Sequence, residues 1–289
     1  MLSLIGGLLA VGSGIMYLVR NAVSKKLLSE KIRPNQLSAL YYFFGVVVVG
    51  IILIATNSLP SILLILSSPI FLTLALLTAI IGTFALTLQF WNIEKNDISI
   101  IAPLFSVMPL VDVILAYFLI HETLTMSELL GVTIIVTGVF VLSIRTGRFT
   151  LKGIRTMLPI FLNIVLFSLI SVFQKSIVLQ AGPLATVWVI YLFSGIVGLP
   201  MLIRSKLDLK AVLLKRNEVS VYLVAAVLAF LTSLTAVTFL PLGVVTSLKN
   251  LTLPVSVIVG ALVFGEGDLK MRFVGSGMIA AGAIAISLH

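Results

Sequence analysis

From Pro34 to Ile93 the sequence contains no Asp, Glu, Lys or Arg. A stretch of that length has no charge with which to face water, whereas about a quarter of the residues of a soluble domain are charged. The rest of the chain shares the bias, with 10% charged and 60% hydrophobic residues and a mean hydropathy of +1.25. Lipid is the solvent that fits it. In lipid every backbone polar group must bond internally, which leaves only α-helices and closed barrels. Barrel strands alternate apolar and polar positions over roughly ten residues. The apolar runs here are continuous, broken by Thr56-Asn57-Ser58-Leu59-Pro60 and by Ser67-Ser68-Pro69. The sequence therefore reads as an all-α integral membrane protein.

A crossing takes about 20 mostly apolar residues. Ten transmembrane helices are predicted, near 2–21, 36–56, 69–91, 98–120, 127–145, 156–176, 184–204, 219–240, 244–264 and 271–288. Pro241-Leu242-Gly243 divides the eighth from the ninth. The connections are short, so neighbouring helices should be antiparallel. The apolar segment from Leu2 to Val19 lacks the basic start and small-residue cleavage site of a secretory signal and is read as the first crossing.

The halves repeat one another. Pro109 is followed by Glu122, Gly131 and Gly138, and Pro254 by Glu266, Gly275 and Gly282. The Glu-to-Gly and Gly-to-Gly spacings are 9 and 7 in both, at an offset of 144 or 145. The front halves carry a fainter echo at an offset of 149 or 150. Lys26 and Pro34 match Lys175 and Pro183, and Tyr41 and Gly45 match Tyr191 and Gly195. The expected organisation is two five-helix repeats, 1–147 and 148–289. Five is odd, so the second copy enters the membrane in the opposite sense. Inverted repeats of that kind hold a substrate between them near the midplane and permit alternating access.

Basic residues fall in alternate connections. Arg20, Lys25, Lys26, Lys31 and Arg33 follow the first helix, Arg145, Arg148, Lys152 and Arg155 the fifth, and Arg204, Lys206, Lys210, Lys215 and Arg216 the seventh. Lys95, Lys270 and Arg272 fall in the other odd-numbered connections, against Lys175 alone on the opposite side. The positive-inside rule puts the odd connections in the cytoplasm and both termini outside. The net charge of +9 is thus juxtamembrane, not a nucleic-acid surface. There is no cysteine, and His121 and His289 sit at different segment ends, so no metal centre or other cofactor is expected. No Gly-x-x-x-x-Gly-Lys-Ser/Thr motif occurs. Energy must come from a gradient or from exchange.

The Pro109–Glu122–Gly131–Gly138 and Pro254–Glu266–Gly275–Gly282 patterns resemble the end of an EamA-type domain, the repeat unit of the drug/metabolite transporter superfamily. Tyr17–Lys26 resembles the end of that domain's first helix, without the usual Trp-Gly. The resemblance covers nearly the whole chain. It implies a ten-helix transporter with both termini in the cytoplasm, the reverse of the charge-based orientation. The basic run often seen between the second and third helices is missing.

Ionisable groups within a membrane are costly, and each is a functional candidate. Asp112, inside the fourth helix, and Lys249, about one and a half turns into the ninth, stand out as repeat neighbours across the pseudo-two-fold. They either pair with each other or meet a zwitterionic or anionic substrate. Lys249 also has the option of snorkelling to the interface, and Asp112 that of a structural bond or a coupling proton. The resemblance adds that related nucleotide-sugar and triose-phosphate carriers use a ninth-helix lysine for anions. Asn250, Tyr17, Tyr41, Tyr42, Gln89, Trp91 and Asn163 complete the candidate substrate set. Each has a plain alternative: interfacial aromatics for Tyr and Trp, helix–helix hydrogen bonds for Asn163 and for Gln174. Arg20 reads as an anchor at the cytoplasmic edge or as a substrate contact. Glu122 and Glu266 fall at wet helix ends. Pro103, Pro109 and Pro254 lie inside predicted helices and would kink them. Gly131, Gly138, Gly275 and Gly282 line faces on which helices can pack closely.

The expected function is secondary transport of small polar or amphipathic metabolites, amino acids or similar, across the cell membrane by alternating access, as an exporter or exchanger, by a multi-pass protein that is not an enzyme and has no catalytic residues. Its partners would be the lipid bilayer, a small-molecule substrate and a coupling proton or counter-solute, with no nucleic acid and a plausible monomer. A flippase for a lipid-linked sugar is the rival, and a membrane-embedded enzyme a more distant one.

Overall fold

A computed structural model describes residues 2–30, 32–96, 101, 104–105, 107–121, 126, 130–131, 133–134, 137, 151–205, 209–252, 255, 274–275, 277–278 and 280–282. Among these there is no strand. The helices are α1 (Leu2–Ser29), α2 (Pro34–Ala55), α3 (Pro60–Ser67), α4 (Pro69–Lys95), α5 (Met108–Ile120), α6 (Leu151–Ser205), α7 (Leu209–Leu214), α8 (Arg216–Val237) and α9 (Leu242–Lys249). A 3₁₀ turn, Asn250–Thr252, follows α9.

The punctuation explains the boundaries. Pro34 and Pro69 open α2 and α4 in the first turn, where a missing N–H is no loss. Ser68 caps α4, its Oγ accepting from the Phe71 N–H at 3.4 Å. Asn57 (φ 52°) and His121 (φ 56°) take the left-handed conformation beyond α2 and α5. α1 continues past its predicted end at residue 21 because no Gly or Pro stops it before Pro34. The apolar stretch ends at Val19, but the helix does not. The eight residues of α3 are too short to cross, and the sequence reading passed over them between two turn signals.

Three expectations are corrected in detail. The sixth and seventh crossings were expected to be separated by a connection at 177–183, yet α6 is helical throughout except at Gly182. With φ 76° and ψ 165°, Gly182 occupies a region that essentially only glycine enters. Pro183 follows it. A straight α6 would measure about 80 Å at ~1.5 Å per residue, against a hydrocarbon core of about 30 Å. The chain reverses instead. Asn163, before Gly182, donates from Nδ2 to the Ala85 carbonyl at 2.8 Å. Thr83 Oγ1 meets the Ser194 carbonyl, beyond Gly182, at 3.4 Å. Both limbs thus pack against the same turn of α4.

The fourth crossing was expected to run unbroken over 98–120. Residues 101, 104 and 105 are helical, Val107 lies in a turn, and α5 begins at Met108. Pro109 therefore stands in the first turn of α5, not inside a helix, and kinks nothing. The ninth was expected to run over 244–264, but α9 ends at Lys249 and tightens into the 3₁₀ turn.

Pro103, Gly138 and Pro254 lie outside the described residues, as do Glu122, Glu266 and most of the fifth and tenth predicted helices. Gly131, Gly275 and Gly282 are helical and buried.

Among the described residues, five helices are long and apolar enough to cross a membrane: Leu4–Ser29, Pro34–Ala55, Pro69–Lys95, Met157–Arg204 and Arg216–Val237. Their outward faces carry Leu4, Leu8, Ile51, Ile54, Ile70 and Leu158, as a lipid-facing surface should. Inside, α1 packs on α8, with Ser13 Oγ donating to the Ala229 carbonyl at 2.8 Å. α2 packs on α6, with Trp188 Nε1 donating to the Val46 carbonyl at 3.1 Å. Small residues such as Ala10 on α1 and Ala226 on α8 are buried, and close approach there replaces the hydrophobic drive that lipid removes. The end of α1 meets the start of α8 through Lys26–Glu218 (3.1 Å) and Lys215–Glu30 (2.9 Å). Lys25 donates to the Asn96 carbonyl at 2.9 Å. The connections after the first, third and seventh predicted crossings therefore share one face.

Candidate functional site

Where α1, α2, α4, both limbs of α6, α8 and the end of α9 converge, they leave a cavity of about 220 Å³. Tyr17, Tyr41, Tyr42, Gln89, Lys249 and Asn250 line it, all six from the predicted set. So does Arg20, which is 4% exposed.

Tyr17 is the hub. The Arg20 guanidinium carbon lies 4.7 Å from the centre of its ring, and Lys249 Nζ lies 4.6 Å from the same point. Both distances fall within cation–π range. Arg20 is held further by its own helix and by α4: Nε and Nη2 donate to Asn21 Oδ1 at 3.1 and 2.8 Å, and Nη2 to Gln89 Oε1 at 2.8 Å. Lys249 donates to Ser233 Oγ of α8 at 3.2 Å. Its position depends on Gly14. A Cβ there would meet the Lys249 carbonyl oxygen at 2.7 Å and its Cα at 3.0 Å. Glycine on α1 is what allows the end of α9 to come this close.

At another wall, Tyr191 donates from its hydroxyl to that of Tyr41 at 3.0 Å, with their rings edge-on at 86°. Tyr191 is fully buried and abuts Gly45, where any side chain would overlap its ring. The sequence offered a route to Tyr191, since it is the repeat counterpart of Tyr41. Other lining groups, among them Thr78 and Ser171, carried no individual signal. Gln174 faces the cavity, not a neighbouring helix alone.

The remaining candidates lie elsewhere. Asp112 is completely buried on α5 and does not line the cavity. Ser168 and Thr246 are its polar neighbours, yet neither carboxylate oxygen has a hydrogen-bond partner among the described residues. It makes no ion pair with Lys249 within 4.0 Å, although α5 and α9 pack together. Asn163 is buried between α6 and α4, bonded to the Ala85 carbonyl and to Asn92 (3.4 Å). Trp91 is 42% exposed and faces an outward groove shared with Arg33 and Arg204. No cluster of three or more His, Cys, Asp or Glu able to hold a metal occurs among the described residues.

This architecture has known counterparts. One crystal structure matches with a TM-score of 0.72, covering 96% of each chain at 16% identity, a likeness of fold. The uncharacterized protein MJ1333.1 of Methanocaldococcus jannaschii is 31% identical over 105 residues, 36% of this chain and 77% of that protein. The profile of the EamA-like transporter family matches residues 4–144. The chain is a multi-pass membrane protein whose residues 4–144 belong to the EamA-like transporter family, consistent with a member of the drug/metabolite transporter superfamily.

Proposed function

We propose that the protein is a secondary transporter of small polar or amphipathic metabolites, working by alternating access between two inverted five-helix halves, 1–147 and 148–289. The observation that carries this reading is the cavity, whose walls come from both halves and meet at Tyr17, Arg20 and Lys249. Two features support the duplication. Tyr41 and Tyr191, counterparts by sequence, touch each other, as residues beside a pseudo-two-fold axis should. A turn at Val107 precedes α5 and the 3₁₀ turn Asn250–Thr252 follows α9, and Val107 and Thr252 each lie two positions before the matching Pro109 or Pro254 in sequence. Breaks of this kind beside a midplane site are what inverted-repeat transporters use.

Cavity size argues against the flippase. About 220 Å³ is below the roughly 300 Å³ at which drug-sized pockets begin. A volume of this order matches a small metabolite better than a lipid-linked sugar. The shared face of the basic connections agrees with a cytoplasmic side carrying Lys25, Lys26 and Lys215, in the cell membrane. Asp112, buried and unpartnered among the described residues, is the group to carry a coupling proton if one is used. Counterflow into proteoliposomes, with a panel of labelled metabolites, tests the reading. Accelerated exchange of a small solute is expected. Flux of lipid-linked sugars without metabolite exchange would overturn it.

A further inference from the structure

We propose that the Tyr17 end of the cavity is an anion site, so that the molecule carried is a small organic anion with a carboxylate or comparable oxyanion seated between Arg20 and Lys249. Recognition of the anion stands on geometry alone; only its passage across the membrane rests on the transport reading above.

Two cations share one aromatic ring, so they are no further apart than the sum of their distances to its centre. Among the described residues, the cavity lining includes no Asp or Glu, and no carboxylate lies within 4.0 Å of either cation. Taking a charge out of water costs several kcal/mol even after relaxation, and a partner normally offsets that. Here the hydrogen-bonding and ring partners are neutral: Asn21 and Gln89 for Arg20, Ser233 for Lys249, and the Tyr17 ring for both; Asp112, the carboxylate whose charge reaches Lys249, lies beyond 4.0 Å and outside the lining.

Donor accounting points the same way. Arg20 uses Nε and Nη2 on its neighbours, which leaves both N–H groups of Nη1 without an acceptor among the described residues. Lys249 has three N–H donors and uses one on Ser233. Such donors match oxyanion lone pairs, and charge-assisted bonds of this type are about twice as strong as neutral ones. A cationic ligand would add a third positive charge to the pair and is excluded by the same arithmetic. The rest of the lining is uncharged, aliphatic at Leu86 and Ile170, aromatic at Phe167 and Phe230 and neutral-polar at Thr78 and Ser171, and suits an uncharged body behind the anionic group.

The test uses three four-carbon probes that differ only in their end groups: succinate, its diamide succinamide, and 1,4-diaminobutane. Thermal unfolding of the purified full chain in detergent is followed against each probe at constant ionic strength. Saturable stabilisation by succinate alone is expected. Arg20→Gln and Lys249→Gln should each raise its half-saturating concentration at least tenfold. Lys249→Arg should keep it within a few-fold, and this variant carries the test if Arg20→Gln does not fold. The proposal is overturned if succinate gives no saturable shift, if either control probe matches it, or if the Lys249→Gln shift equals that of the unsubstituted chain. Counterflow separates the two claims. Succinate that binds but does not exchange would sink the transport reading and leave the anion site. Exchange of a neutral solute indifferent to both substitutions would do the reverse.

Discussion

Gly12→Ala and Gly14→Ala add the same methyl group to α1 two residues apart, and they should have opposite consequences. At Gly12 an added Cβ meets nothing within 4 Å. At Gly14 it would lie 2.7 Å from the Lys249 carbonyl oxygen, about 0.7 Å short of ordinary contact, and the obstacle is backbone that cannot rotate away. Replacing glycine inside a helix gains up to ~1 kcal/mol from propensity. Overpacking costs about 1–3 kcal/mol. Gly12→Ala should therefore be neutral or stabilising, and Gly14→Ala destabilising by up to ~2 kcal/mol relative to wild type. The end of α9, which carries Lys249, must also retreat from Tyr17, so succinate stabilisation should weaken in Gly14→Ala and persist in Gly12→Ala. Temperature-dependent loss of the monodisperse size-exclusion peak, with and without succinate, reads both effects. Equal stability and equal succinate response in the two variants would refute the claim that Gly14 sets the distance between α1 and the end of α9.

Other outcomes follow from single contacts. Gly182→Ala forces a side chain into φ 76°, ψ 165° and should cost about 1–3 kcal/mol in the same unfolding assay. Asn163→Ala removes a buried bond to the Ala85 carbonyl and should lower stability by about 1–3 kcal/mol while leaving the succinate half-saturation unchanged, since Asn163 does not line the cavity. Tyr41→Phe and Tyr191→Phe remove the two ends of one 3.0 Å hydroxyl contact, so the double variant should cost clearly less than the sum of the singles. A strictly additive result would show that the two hydroxyls do not interact.

The apolar runs were enough to place the crossings made by α1, α2, α4, α6 and α8, because the same Pro, Ser and Asn residues that break hydropathy also break helices: Pro34, Pro69 and Asn57 all fall at helix ends. Where charge and helix chemistry disagree, hydropathy misled. Arg20, Lys25 and Lys26 ended the predicted first helix, but nothing in them stops a helix turning, and α1 runs on to Ser29. That misplacement also made Arg20 look like an edge residue, when its buried guanidinium lies beside Tyr17 one turn back on the same helix. The cavity tyrosines and Lys249 were legible as polar groups stranded in apolar helices. Trp91 had the same signature and faces outward, because helical phase is not fixed by a stretch that is apolar all round. The meeting of Arg20 and Lys249, 229 positions apart in sequence, depends on Gly14, whose role no single-sequence pattern marks.

The central claim is that one cavity opens alternately to the two sides of the membrane. The chain has no cysteine, so a single Ser171→Cys on the cavity wall supplies the only thiol. Oriented proteoliposomes are treated with a membrane-impermeant thiol reagent from one side and then, in a separate sample, from the other. The account predicts labelling from both sides, slowed by succinate in each case. Labelling from one side only, indifferent to succinate, would contradict it.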